Sequence, residues 1–186
     1  MSTQQYSPGP AAATIKKDGE EWTLVLVREL HHSPEKVWRA LTEPAELRAW
    51  APFDADKSLA TVGERVKLTT VGAPSEHVTE TTITRAEPGR ALEYRWGGND
   101  TRWELQPVGE GTRLTLWAKI DRRYIAMGAA GWHVCLDVMD RMLDGQSIGR
   151  IVGPDAMKFE GWQRLHKEYA EQFGVETPSW SSQGGK

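Results

Sequence analysis

Cysteine is nearly missing from this chain of 186 residues. Cys135 stands alone, so no internal disulfide can close and packing must supply the stability. No apolar run approaches the roughly 20 residues of a membrane-spanning helix, and the opening MSTQQYSPGPAAAT has no basic-then-apolar leader pattern. There is no excess of one charge either. The 23 Lys and Arg face 26 Asp and Glu, so net charge is −3 and the pI near 6.0. That balance gives no general reason to bind nucleic acid or an anionic membrane. Phosphate-cradling glycine loops, cysteine clusters and a Ser-His-Asp arrangement are absent as well. The expectation is a cytoplasmic protein, and Cys135 on an apolar helix face suits a reducing interior.

Tryptophan is the abundant exception, with nine copies: Trp22, Trp38, Trp50, Trp96, Trp103, Trp117, Trp132, Trp162 and Trp180. So many large rings suit a sizeable aromatic-lined interior. Residues 1–18 are small, polar and proline-bearing and read as a disordered tail. Residues 19–174 read as one domain, and residues 175–186 as a second disordered tail. WTLVLVREL, Trp22 to Leu30, is the expected first strand. Ser33 then offers an N-cap with Pro34 at the first helical position. Thr42 is the expected cap of a second short helix starting near Pro44 and stopped by Pro52.

From Phe53 to Ile120 short strands alternate with tight turns, the pattern of an antiparallel meander. Leu92, Tyr94 and Trp96 share one face, as do Trp103 and Leu105, while Arg95, Arg102 and Glu104 point outward; Arg28 is left open. Tyr124 to Asp144 places Trp132, Leu136, Met139 and Leu143 on one helical face, leaving Asp137, Asp140, Arg141 and Asp144 for water. Gly145, Gly149, Gly153 and Pro154 break the stretch, and a further helix is expected from Asp155 to Phe173.

Several residues together carry a resemblance: a strand ending near Arg28, SPEKVWRALTEPAELRAW at 33–50, EYRW at 93–96, and Gly131-Trp132 in the last long helix. From about residue 22 to 173 the chain resembles the START-like (SRPBCC, helix-grip) superfamily, and within it the domain named after the heat-shock-protein ATPase activator. The resemblance implies an α+β helix-grip fold, a curved antiparallel sheet wrapped around a long C-terminal helix, with two short helices after the first strand. It also implies a cavity between sheet and helix. Members hold lipids, sterols or polyketides there, a few catalyse cyclisation or dehydration, and others are co-chaperones. Many bacterial members carry the family name without the activity it names, so fold alone does not settle function. The best-known co-chaperone form has an additional N-terminal domain, and the short stretch before Trp22 weakens the chaperone expectation without removing it.

Tyr94, Trp96 and Trp103 on the sheet, opposed by Trp132, Leu136 and Met139 on the helix, are the expected walls of a pocket for a flat or greasy ligand. Trp50 and Phe53 belong near its mouth, and His133 completes the candidate ligand-binding set. A packed core without space would explain the same rings. His133, Asp137 and Asp140 supply too few ligands for a metal, and His31-His32 read as a loop feature. No cofactor, metal site or catalytic residue is expected. Asp54 is placed to orient a polar group at the mouth. The leading expectation is a binding module for an apolar small molecule. A cyclase- or aromatase-like enzyme using His133 or Tyr94 is one alternative; the other is a chaperone-linked, stress-response interaction protein anchored by Trp117. A homodimer is left open.

Overall fold

The computed structural model describes residues 6–72 and 77–176. Among the described residues nine strands and five helices follow in order. They are β1 (Thr14–Asp18), β2 (Glu21–Leu30), α1 (Pro34–Thr42), α2 (Pro44–Leu47), β3 (Phe53–Ala55), β4 (Arg65–Thr70), β5 (His77–Thr82), β6 (Arg85–Glu87), β7 (Ala91–Trp96), β8 (Asn99–Val108), β9 (Gly111–Lys119), α3 (Ile125–Leu143), α4 (Gly153–Lys158) and α5 (Glu160–Phe173). Six strands form one antiparallel sheet in the order β1-β2-β9-β8-β7-β6, and β3-β4-β5 form a second. This is the helix-grip arrangement, with α3 lying across the sheet.

The alternation of β7, β8 and β9 holds. Leu92, Tyr94, Trp103, Leu105, Leu114, Leu116 and Ala118 are buried, while Arg95 is exposed and Arg102 and Glu104 are half-buried on the outer face. Arg28 shares the inner face of β2 with Leu24, Leu26 and Leu30 and reaches α3, where its Nη1 lies 3.0 Å from Asp137 Oδ1. At α1 the Ser33 hydroxyl accepts a hydrogen bond from the Lys36 amide at 3.3 Å, as an N-cap should. Thr42 does not cap α2: its hydroxyl donates back to the Trp38 carbonyl at 2.8 Å, and Glu43 takes the N-cap position without a side-chain bond.

Three further expectations are corrected. The segment before Trp22 is not a tail throughout: β1 pairs with β2 as an edge strand, and Tyr6 is buried. Lys16 and Lys17 give that edge a charged outer surface, a common protection against further pairing and one that hides the strand in sequence. The helix expected from Asp155 to Phe173 is interrupted at Phe159, whose extended backbone (φ −82°, ψ 122°) ends α4 and starts α5. Finally, α3 is buried on most of its circumference, because α5 and the N-terminal segment cover the side turned away from the sheet. Asp137 is therefore not left to water; its side chain is only 18% exposed. Val175 packs on the core, while residues 177–186, Trp180 among them, lie outside the described residues.

Candidate functional site

Between sheet and α3 the aromatic rings meet edge to face, the arrangement their quadrupoles favour. Trp50 meets Trp103 at 6.1 Å between centroids, Phe53 meets Tyr94 at 6.1 Å, and Trp132 stands 5.5 Å from Trp103 and 5.7 Å from Trp96. Their polar tips are occupied: Trp50 Nε1 donates to the Ala40 carbonyl at 2.9 Å and Trp103 Nε1 to the Tyr94 hydroxyl at 3.1 Å. Trp50, Phe53, Tyr94, Trp103, Leu136 and Met139 are thus packed interior.

Open space begins beyond that layer. A pocket of about 490 Å³ lies at the end where β4, β7 and the first half of α3 meet the returning chain. Trp96 and Trp132 form its inner wall, Met127, Gly128 and Gly131 continue along α3, and Ile151, Val152, Met157 and Trp162 close the opposite side. Of the expected ligand-binding residues, Trp96 and Trp132 reach this pocket. Sequence reasoning missed the residues from 151 onward; the helical spacing of Trp162 with Phe159 and Leu165 was visible, but the direction in which it faces was not.

Two devices hold the outer wall. Arg150 donates to Asp54 through both terminal nitrogens, at 2.7 and 3.3 Å, so the glycine-rich segment is tied to β3. Asp54 is engaged there rather than free at the mouth. Further along, the chain at Gly153 crosses the chain at Gly72 main chain to main chain. Both have positive φ (61° and 79°), and a Cβ on Gly72 would come within 2.8 Å of Pro154 Cδ. By contrast, a Cβ at Gly131 meets nothing within 4 Å, while one at Gly128 would strike Ile120 at 2.7 Å. Gly128 thus leaves room for the Ile120 side chain against α3, and Gly131 leaves open space on the pocket wall.

His133 is corrected: it points to the opposite side of α3 and lines no part of the pocket. Its Nδ1 lies 2.7 Å from the Tyr169 hydroxyl on α5, and its Nε2 3.6 Å from Asp137 Oδ2. Asp137 also accepts a hydrogen bond from the Tyr6 hydroxyl, while Arg28 Nη2 donates to the His133 carbonyl at 3.3 Å. Burial, with Arg28 beside it, pushes the imidazole down to about 4. Cys135 does line the pocket, but burial pushes its thiol up to about 12, so it stays protonated and is a filler, not a nucleophile. Burial likewise raises the Tyr94 hydroxyl well above its ordinary value. Trp117 on the outer face is half-buried, with the Arg102 guanidinium 4.0 Å from its ring centre.

The family profile described as Activator of Hsp90 ATPase homolog 1-like protein matches residues 31–144. Among solved structures, a conserved protein of unknown function from Enterococcus faecalis is similar at 16% identity, with a TM-score of 0.68 over 89% of this chain and 92% of that one. CalU16 from Micromonospora echinospora is similar at 18% identity, with a TM-score of 0.62 over 88% and 95%. DynU16, a protein in the dynemicin biosynthetic locus, is similar at 21% identity, with a TM-score of 0.60 over 70% of this chain and 50% of that one. Likeness at these identities concerns the fold. No curated protein matches the chain.

Proposed function

The chain belongs to the Activator of Hsp90 ATPase homolog 1-like family, and from that premise we propose that it binds a hydrophobic or aromatic small molecule in the pocket at Trp96 and Trp132. The observation that carries this reading is the pocket wall itself: indole, thioether and aliphatic surface drawn from the sheet, α3, α4 and α5, with few polar atoms. A volume near 490 Å³ falls within the roughly 300–1,000 Å³ typical of small-molecule sites. Thr70, whose hydroxyl lies 3.3 Å from Trp96 Nε1, offers one polar group at the rim to orient a guest.

Proton-transfer chemistry finds less support. His133 lies behind α3, and Tyr94 is buried in the ring layer outside the pocket, its hydroxyl accepting from Trp103. The interaction reading is weakened by Arg102, which covers the Trp117 ring.

Gly131→Leu is the sharpest test, because it fills the pocket from a position with free space and leaves the ring layer alone. Titration with 1-anilinonaphthalene-8-sulfonate, followed by tryptophan quenching, should show saturable binding that Gly131→Leu weakens by about tenfold or more, about 1.4 kcal/mol. The unfolding midpoint should not fall. Undiminished binding in the folded variant would move the site elsewhere. Native mass spectrometry of freshly purified protein would then weigh any natural guest.

A further inference from the structure

The C-terminal end of α3, away from the pocket, gathers three groups from two elements. His32 lies in the joint between β2 and α1, Asp140 in the closing turns of α3, and Asp144 at its C-cap. His32 is only 8% exposed, and its carbonyl accepts a hydrogen bond of 2.7 Å from the Thr112 hydroxyl on β9, which fixes the main chain there. Its Nε2 lies 3.0 Å from Asp144 Oδ1 and 3.4 Å from Asp140 Oδ1. Although close to both, that nitrogen makes no aligned hydrogen bond: it is buried, unpartnered and aimed between two carboxylates. One donor atom from each residue falls within 4.8 Å of the others.

Two carboxylates one turn apart repel each other, and the negative end of a helix dipole adds to the strain. Lys36 Nζ, from α1, is bonded to the Leu143 carbonyl at 2.5 Å rather than to either carboxylate. Asp140 and Asp144 are 45% and 54% exposed, so an ion has a way in from solvent and room to keep water ligands.

We propose that His32, Asp140 and Asp144 form a binding site for a divalent transition-metal cation of the zinc type, completed by water. The donor chemistry selects the class: an imidazole nitrogen with two carboxylate oxygens suits zinc, cobalt or manganese, whereas magnesium and calcium prefer all-oxygen sets. Donors about 2.0 Å from a tetrahedral ion stand roughly 3.3 Å apart, close to the separations His32 makes with its two partners. The ion ties the end of α3 to the start of α1, immediately before the glycine-rich segment leading to the pocket.

The test uses the full chain stripped with a chelator and titrated calorimetrically with zinc chloride, with magnesium chloride as the control. One equivalent of zinc should bind, and magnesium should not compete. Asp140→Asn and Asp144→Asn should each weaken zinc by about tenfold or more, a loss known even for groups that only support a ligand. Both positions reach solvent, so these near-isosteric changes leave the fold intact, which circular dichroism verifies; His32→Ala, in the buried joint, serves only as a supplement. Cobalt substitution should give visible absorption bands that the double Asn variant lacks. No uptake of zinc by the wild-type chain, or equal uptake by the double variant, overturns the proposal and leaves His32 as an ion-pair partner alone.

Discussion

The two sides of α3 are buried by different physics. Toward the sheet, Trp132, Leu136 and Met139 meet Trp96 and Trp103, and the contact is dispersion and desolvated apolar area. Toward α5, the N-terminal segment and the β2 end of the sheet, His133 and Asp137 meet Tyr169, Tyr6 and Arg28, and the contact is a knot of charge and hydrogen bonds. The ring side tolerates changes of shape at the cost of cavities. The polar side fails when one partner is lost, because the others are left desolvated and unpaired. Packing strength and positional definition are thus divided between two adjoining faces of one helix.

The contrast can be broken by substitution. Trp103→Ala, at a site 1% exposed, should show the largest effect, about 3–5 kcal/mol in urea unfolding. Asp137→Ala comes next at about 2–3 kcal/mol; the penalty falls below that of a fully buried pair because Arg28 and Asp137 keep some solvent. If it costs less than 1 kcal/mol, the polar side is ordinary surface pairing and the contrast collapses. Tyr6→Phe removes one hydrogen bond to a carboxylate and should cost about 1–2 kcal/mol. Gly131→Ala, by relieving helix-interior glycine, should stabilise by about 0.5–1 kcal/mol.

Acidity sharpens the same comparison. His133 is held neutral in the fold down to about 4, from an ordinary 6.5, by burial and by Arg28; Asp137 opposes the shift, and Arg164 and Tyr169 face the ring from α5. Below about 6.5 the unfolded chain takes up a proton that the native chain refuses. The stability present above 6.5 should therefore fall by up to about 1.4 kcal/mol per pH unit on the way to 4. His133→Gln should flatten that slope, measured by chemical unfolding at several pH values, while Trp103→Ala should leave it unchanged.

The sheet side was readable from the chain because it obeys local periods. Tyr94 and Trp96 alternate with Glu93 and Arg95, and Trp132 recurs with Leu136 at a helical step. The polar side was not, since its members come from positions far apart: Arg28 meets a carboxylate on α3, and Tyr6 one 131 residues away. Arg28 did occupy the inner parity of β2, but no local rule names its partner. The glycine-rich break at 145–154 was visible as a break, yet its route rests on the Arg150–Asp54 pair, 96 residues apart. His32 looked like a loop residue because what faces it arrives with the end of α3.

Where Gly72 and Gly153 cross, the rim of the pocket is a fixed aperture. Backbone meets backbone there, with the Pro154 ring alone set against Gly72, so the width of this rim is largely a main-chain dimension. Selection for guests of another size must then act on the helix wall. Met127 and Gly131 are the adjustable jaw, set against a stationary one.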